Sequence, residues 1–281
     1  MPPELTFGAI AVFRLVTSDL ARLAAFYRAI GFEVGDAMPI SATELAVLGV
    51  AGTGMRVEMS LGPSRVDLDC FALAGRPYPT EASASDRIFQ HLALVTDDAR
   101  TAWYRARDAG ATPISRKQPV VLPPSSGGVT AVKLRDPEGH PLEFLQFPRG
   151  ANPHWRGTGI MGIDHSAITV GDLAASRRFY AHHGLAEGAP MLNQGPTQVA
   201  LDGIAGVVVD IVPVLPATAP PHIELLGYRD RAGDHEAPAV NDIAATRIVW
   251  RSARDALIRD PDGHYHQFSR AGRLQAETPS R

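Results

Sequence analysis

The feature that most constrains this chain is an internal repeat, which occurs three times with the same spacing. Each copy opens with strand-forming residues, has an aspartate 7 positions after its opening residue, and has a glycine 19 positions after it. The copies, each given by its opening residue, aspartate and glycine, are Val12, Asp19 and Gly31; His91, Asp98 and Gly110; and His165, Asp172 and Gly184. Such self-similarity indicates tandem structural units.

Each copy predicts a strand, a capped helix and a glycine stop. The opening segments are rich in β-branched and aliphatic residues, which is typical of strands. The aspartate can cap a helix by accepting hydrogen bonds from unpaired backbone N–H groups. Apolar residues then recur at spacings of three and four, as at Leu20, Leu23 and Tyr27, which indicates a helix. The shared glycine stands where helices often end with a positive φ.

More β structure follows in each copy. We predict strands at Glu44–Val50, Met55–Leu61, Arg65–Phe71, Thr130–Arg135, Leu142–Phe147, Val207–Val212 and His222–Leu226. An Asp-Pro-x-Gly-His sequence at 136–140 recurs at 260–264, and its proline and glycine favour a tight turn. The second turn marks a fourth unit, in which the opening strand Thr246–Trp250 and the closing hairpin Asp255–Phe268 leave no room for a helix.

The length of 281 residues suits two domains of ordinary size. We place the boundary in Pro148–Gly159, a polar linker that contains proline, glycine and Trp155. Domain 1–150 then holds units at about 8–75 and 88–147. Domain 151–281 holds a unit at about 160–227 and a truncated unit at 240–268.

Composition excludes several classes of protein. The 27 basic and 30 acidic residues leave a net charge of −3, so we expect no nucleic-acid partner. We see no secretory signal and no apolar run of about 18 residues, so we expect no membrane association. One cysteine, Cys70, favours a reducing compartment, and a cytoplasmic location is expected. Only Lys117 and Lys133 are lysines, a scarcity that we attribute to codon bias. No nucleotide-binding glycine motif is present.

A β-α-β-β-β unit with a Phe-Tyr pair in its helix, a glycine stop and a closing Asp-Pro-x-Gly-His turn resembles the vicinal oxygen chelate superfamily. That superfamily includes glyoxalase I, extradiol dioxygenases, fosfomycin-modifying enzymes, methylmalonyl-CoA epimerase and bleomycin-resistance proteins. The resemblance covers about residues 8–268. It implies an α+β fold of four tandem βαβββ modules, the fourth truncated, which pair into two open barrels.

The resemblance also implies a divalent-metal site on the barrel floor, with ligands from the first and last strands of each unit. Matching the motifs gives the first-strand positions Val12, His91, His165 and Thr246, and the last-strand positions Asp67, Glu143, Glu224 and Gln267. Divalent metals prefer imidazole and carboxylate ligands. Pairing the first unit with the second, and the third with the fourth, gives two sets that each lack some of these ligand types. Pairing modules 2/3 gives His91, Glu143, His165 and Glu224, and it leaves modules 1/4 without a metal site.

Three functions are compatible with this ligand set. A glyoxalase- or epimerase-like isomerase or lyase would stabilise a metal-chelated enediolate and use Glu143 or Glu224 as its base. An Fe(II)-dependent extradiol-type dioxygenase would use two histidines and one carboxylate. A metal-free binding or resistance protein is the third alternative, and the four ligand-type residues argue against it.

The expected cofactor is one divalent ion, which could be Ni, Co, Zn, Mn or Fe(II). The expected partner is a small molecule with adjacent oxygens, and the protein is expected to be a monomer or a homodimer. Substrate contacts are predicted from two loops near the barrel mouth and from the segment after Glu224; they are Ser125, Ser126, Asn193, Gln194 and Tyr228.

Overall fold

Two β-sheets and the helices packed on them form the described part of the chain. The computed structural model describes residues 5–116, 118–230, 233 and 235–270. In this part, no helix is both long and apolar enough to cross a membrane.

The strands are short and belong to both halves of the chain. They are β1 (Ile10–Val16), β2 (Glu33–Pro39), β3 (Gly54–Leu61), β4 (Ser64–Phe71), β5 (Gln90–Thr96), β6 (Thr112–Pro113), β7 (Val120–Val121), β8 (Thr130–Arg135), β9 (Pro141–Gln146), β10 (Ile160–Thr169), β11 (Ala186–Glu187), β12 (Met191–Gln194), β13 (Val208–Leu215), β14 (His222–Tyr228), β15 (Arg247–Ser252), β16 (Ala256–Arg259) and β17 (Tyr265–Arg270).

The helices are α1 (Leu20–Ala29), α2 (Ala42–Leu48), α3 (Ala99–Asp108), α4 (Leu173–His182) and α5 (Gly195–Asp202). The repeat aspartates cap α1, α3 and α4, because each side chain accepts a hydrogen bond from a backbone N–H in the first turn. The repeat glycines Gly31, Gly110 and Gly184 have φ values of 115°, 104° and 94°. A residue with a Cβ would be strained there, so both predicted helix signals are confirmed.

The strands form one sheet of ten and one of seven, and each sheet joins units from the two halves of the chain. In the ten-stranded sheet, the order β11-β13-β14-β10-β5-β9-β8-β6, with β12 also paired to β13 and β7 to β8, places the second and third units side by side. In the seven-stranded sheet, the order β16-β17-β15-β1-β4-β3-β2 places the fourth unit beside the first. The antiparallel pairs β5/β10 and β1/β15 form the seams. The predicted nested pairing of modules 2/3 and 1/4 is therefore confirmed.

Two sequence predictions were wrong in detail. The predicted strand Glu44–Val50 is instead the helix α2, which ends at Gly49 in a left-handed conformation. The opening strand of the fourth unit begins one residue later than predicted. There Val249 pairs with Gln267, as Ala93 pairs with Glu143, so Arg247 rather than Thr246 stands at the position equivalent to His91.

The main hydrophobic core lies between the sheets and around the repeat helices. It includes residues of α1, α3 and α4 together with residues of both sheets, such as Leu68 and Phe144. This arrangement leaves the opposite faces of the sheets free to line two separate barrel interiors.

Candidate metal centre

The floor of the ten-stranded sheet brings the predicted ligands together around two small residues. His165 pairs with Ala93 across the seam, and Ala93 pairs with Glu143. In the adjacent row, Ala167 pairs with both His91 and Glu224. Because residues paired across a sheet share one face, the four larger side chains flank the space that the two alanines leave open.

Three of these side chains form a compact ligand group. Donor atoms of His91, Glu143 and His165 all lie within 4.8 Å of one another. The Nε2 atom of His91 lies 2.8 Å from Oε2 of Glu143. Apart from this contact of Nε2, the two ring nitrogens of His91 are buried and have no hydrogen-bond partner among the described residues. Such buried atoms are costly unless something else satisfies them.

Glu224 stands beside this group. Its Oε2 atom lies 3.5 Å from Nε2 of His165, and its Oε1 atom lies 3.8 Å from Nε2 of His222. Burial would raise the pKa of Glu224, but His165 and His222 together outweigh burial and lower that pKa. Glu224 is therefore ionised at neutral pH and can act as a fourth ligand or accept a proton.

Asp164 orients His165 from the opposite side. The Oδ2 atom of Asp164 lies 3.1 Å from Nδ1 of His165, and Oδ1 accepts a 3.0 Å hydrogen bond from Nε1 of Trp155. A carboxylate on one ring nitrogen fixes the imidazole and leaves the other nitrogen for a metal. Trp155 belongs to the linker between the halves, so the linker supports the site.

The charges at this site do not balance. Burial would raise the pKa of Glu143, but Lys133 and the two histidines lower it to about 2. Burial likewise opposes protonation of His165, yet the carboxylates of Glu224, Asp164 and Glu143 raise its pKa to about 9. Lys133 is the only lysine or arginine among the described residues lining the cavity. The site therefore carries an excess of negative charge that a bound cation would neutralise.

A cavity of about 190 Å³ opens above the four predicted ligands. Its walls are largely apolar, with side chains such as Leu145, Met191 and Leu226. Ser126 and Asn193 also line it, and the Ser126 hydroxyl donates a 2.6 Å hydrogen bond to Oδ1 of Asn193. This bond joins the second unit to the third across the cavity.

The structure does not bring the other predicted substrate residues to the cavity. Ser125 and Gln194 are exposed and are not among the described residues lining it. Tyr228 is buried behind the wall, where its hydroxyl donates a 3.1 Å hydrogen bond to Asp202.

Sequence reasoning missed five polar residues at or next to this site. They are Lys133, Asp164, Gln198, Asp202 and His222. Two of these residues could have been found from the sequence. His222 lies two positions before Glu224 on one strand, and alternate strand residues share a face; Lys133 is one of only two lysines in the chain.

The seven-stranded sheet has a balanced ion network at the equivalent place. Three buried arginines meet three buried carboxylates there; they are Arg14, Arg56 and Arg247 with Glu44, Asp67 and Asp69. Gln267 donates a 2.9 Å hydrogen bond to Glu44. Both candidate metal-ligand groups among the described residues lie in the other sheet.

Comparisons with known proteins agree with this architecture. Residues 9–144 match the family model described as "Glyoxalase/Bleomycin resistance protein/Dioxygenase superfamily"; His165 and Glu224 lie beyond this match. Among solved structures, glyoxalase I from Zea mays covers 96% of this chain and 96% of its own, with a TM-score of 0.62 and 13% identity.

A candidate dioxygenase from Bacillus subtilis covers 94% of this chain and 86% of its own, with a TM-score of 0.57 and 12% identity. At such identities the likeness concerns the fold alone. No curated protein matches the chain.

Proposed function

We propose that the chain is a divalent-metal-dependent enzyme that acts on a small molecule, as a member of the Glyoxalase/Bleomycin resistance protein/Dioxygenase superfamily whose model matches residues 9–144. The observation that carries the proposal is the buried, negatively charged group formed by His91, Glu143, His165 and Glu224. Two histidines and two carboxylates with an excess of negative charge are what a divalent ion requires, and an apolar ligand would gain nothing from them.

His91, Glu143 and His165 would hold the ion, and apart from the contact of Nε2 with Glu143 the buried nitrogens of His91 have no partner among the described residues. When bound, a divalent ion supplies Lewis acidity toward two adjacent oxygens of a substrate. Ni, Co, Zn, Mn and Fe(II) all accept such ligands, so the donor set does not select among them.

The chain's own contribution to catalysis is proton transfer and exclusion of water. Glu224 is ionised and lies next to the ligand group without belonging to its most compact part. A carboxylate in this position can take a proton from one carbon of the substrate and return it to the neighbouring carbon. The apolar walls exclude water from that transfer. We therefore propose a glyoxalase- or epimerase-like isomerase or lyase with Glu224 as its base.

One observation favours a second candidate, an Fe(II)-dependent extradiol-type dioxygenase. The donor atoms that lie within 4.8 Å of one another belong to two histidines and one carboxylate. That set leaves coordination positions open, as non-haem iron oxygenases require. In this case Glu224 would be a neighbour of the metal site rather than a ligand.

Metal analysis of purified variants tests the metal site. Single His91→Ala and His165→Ala variants should lose stoichiometric metal, whereas His154→Ala, at an exposed linker histidine, should retain it. A full equivalent of metal in the double variant His91→Ala/His165→Ala would contradict the proposal.

Two assays separate the candidate reactions. The isomerase proposal predicts turnover of thiol–aldehyde adducts without oxygen uptake, with metal retained but turnover lost in Glu224→Gln. Oxygen consumption with catechols and bound iron would instead support the dioxygenase.

A further inference from the structure

A polar cluster on the cavity wall has no role in the reaction proposed above. It consists of Lys133 on β8, Gln198 on α5 and Asp202 at the end of α5. Each of the three residues is 3% exposed. Lys133 and Gln198 line the cavity, and Asp202 lies behind them.

Asp202 fixes the other two side chains. Its Oδ1 atom accepts a 2.7 Å hydrogen bond from Nζ of Lys133, and its Oδ2 atom accepts a 2.7 Å hydrogen bond from Nε2 of Gln198. Tyr228 donates a third hydrogen bond to Oδ2. Because a carboxylate only accepts, it orients the Gln198 amide with its NH₂ group toward Asp202 and its carbonyl oxygen away.

Both residues keep unused hydrogen-bonding capacity. A lysine ammonium carries three N–H donors, and Asp202 is the one hydrogen-bond acceptor that the described residues offer the Nζ atom of Lys133. The Oε1 atom of Gln198 is buried without any hydrogen-bond partner among the described residues. A donor and an acceptor with spare capacity are therefore bound to the same carboxylate, on two residues that line the same cavity. Buried polar groups are rarely left so unless a ligand completes them.

From this geometry we infer that Lys133 and Gln198 form a subsite for a hydroxyl group of the substrate, distinct from the two oxygens that the metal would hold. A hydroxyl oxygen can accept from Nζ of Lys133 while its hydrogen is donated to Oε1 of Gln198. The inference rests on the metal-dependent function proposed above. It narrows the substrate to a compact, mostly apolar molecule with three oxygens.

Charge favours a neutral hydroxyl over a carboxylate in this subsite. Lys133 is already paired with Asp202, so the pair contributes no net charge. Lys133 on β8 is also paired with Glu143 on the neighbouring strand β9. A substrate carboxylate would add a negative charge beside Glu143 and Glu224 and would offer no donor to Gln198.

Ligand binding to the Zn(II)-loaded protein tests this inference. We would titrate catechol, pyrogallol and benzene-1,2,4-triol calorimetrically under nitrogen, which prevents their oxidation. At least one triol should bind at least about tenfold more tightly than catechol, because its third hydroxyl gains a hydrogen bond to a charged group. In Gln198→Met and Lys133→Met this preference should disappear while catechol affinity stays within about twofold.

Tyr228→Phe is the matched control. It removes one hydrogen bond from Asp202 but touches neither cavity-lining residue, so the triol preference should remain. If Lys133→Met does not fold, because it leaves Asp202 unpaired, Gln198→Met carries the test alone. Equal binding of all three compounds, or an unchanged preference in Gln198→Met, would overturn the subsite and leave the metal site standing. Failure to take up Zn(II) would contradict the metal site, and the subsite with it.

Discussion

At the scale of single residues, the carboxylate of Asp164 holds the imidazole of His165 in its orientation. Asp164 precedes it in the chain, on the same strand, where neighbouring side chains normally point to opposite faces. The strand pairing is irregular between Ile163 and His165, and Asp164 reaches Nδ1 of His165 at 3.1 Å. This irregularity couples the imidazole to Trp155 in the linker.

Removing the charge of Asp164 should weaken metal binding without removing a ligand. We expect Asp164→Asn to lower Zn(II) affinity by about 10–100-fold, as for other carboxylates that orient a metal-bound histidine. Competition with a chromophoric chelator measures this. Asp36→Asn, at an exposed residue of the other sheet, should behave as the wild type, and equal affinity in both variants would refute the role assigned to Asp164.

Metal binding should depend on pH through His165. Three carboxylates raise the pKa of its imidazole to about 9, and a metal ion requires the neutral form. Between pH 6 and pH 8, affinity for Zn(II) should therefore rise about tenfold per pH unit, with release of about one proton. Calorimetry in buffers of different ionisation enthalpy measures the proton count. Affinity independent of pH in this range would contradict this account.

The same pKa predicts how the metal-free protein responds to pH. The folded pKa of about 9 lies above the ordinary value of 6.5, so this group's stabilisation is full below about pH 6.5 and disappears as pH rises through 9. The melting temperature of the metal-free protein should accordingly fall between pH 7 and pH 9.5. In His165→Gln the part of this decline that comes from His165 should be absent. Identical melting temperatures at every pH in the two proteins would contradict the raised pKa of His165.

The predicted ligands could be found from the sequence because the repeat placed them. His91 and His165 share one repeat position, and Glu143 and Glu224 follow on the closing strands. Lys133 and Gln198 have no counterpart in the repeat pattern. Their role depends on Asp202, which lies 69 positions from Lys133 in the chain, and such a contact is set by tertiary packing alone.

At the scale of elements, the helix α2 shows how a short apolar run misleads. Leu45, Val47 and Leu48 suit a strand as well as one face of a helix. The deciding signals were local: Ser41 accepts a hydrogen bond from the backbone N–H of Glu44 at the N-cap, and Gly49 ends the helix. The Ser-x-x-Glu sequence is a recognised helix start.

The register of the fourth unit could not be obtained from sequence spacing. That unit lacks the helix whose 19-residue offset aligned the other copies. Its strand could be placed only by its hydrogen-bonded partners, which put Arg247 opposite Arg14. At the position equivalent to His91 this barrel therefore has a guanidinium, which is not a metal ligand.

The ion network in the seven-stranded sheet should be required for folding. Glu44, carried into the barrel by α2, contacts both Arg14 and Arg56. Glu44→Gln would leave two buried guanidiniums short of a counter-charge, and the free energy of unfolding should fall by about 3–5 kcal/mol. Denaturant titration measures the loss. The exposed Glu33 gives the control Glu33→Gln, for which a change within about 0.5 kcal/mol is expected.

The lower free energy of unfolding of Glu44→Gln should not be accompanied by a loss of metal binding. The network belongs to the seven-stranded sheet, so folded Glu44→Gln should still bind one equivalent of Zn(II). A Glu44→Gln variant as stable as the wild type would contradict the role assigned to the ion network, and a folded variant without metal would contradict the separation of the two barrels.

The repeated Asp-Pro-x-Gly-His turns join units that belong to different sheets. The Tyr27 hydroxyl of the first unit donates a 3.2 Å hydrogen bond to Asp136 in the turn of the second. The Tyr180 hydroxyl of the third unit donates a 2.9 Å hydrogen bond to Asp260 in the turn of the fourth. The turns thus connect the first unit to the second and the third to the fourth, whereas strand pairing connects the second to the third and the first to the fourth.

At the scale of the whole molecule, the boundary predicted at Pro148–Gly159 divides the sequence but neither sheet. Strand β10 from the second half pairs with β5 from the first, and β15 pairs with β1. Each barrel therefore takes strands from both halves of the chain. The candidate metal ligands divide in the same way, with His91 and Glu143 before the linker and His165 and Glu224 after it.

Cutting the linker should therefore leave the molecule assembled. A protease site inserted between Gly150 and Ala151, in a segment without helix or strand, would be cleaved in the folded, Zn(II)-loaded protein. In size-exclusion chromatography we expect both fragments to elute together at the volume of the uncut protein, with the metal retained. Separation would break two seams of backbone hydrogen bonds and expose the core between the sheets.

In guanidinium chloride the same sample should separate into two fragments, which verifies the cut. Two half-sized species under native conditions would mean that the halves fold as independent domains, and the nested pairing would then be refuted.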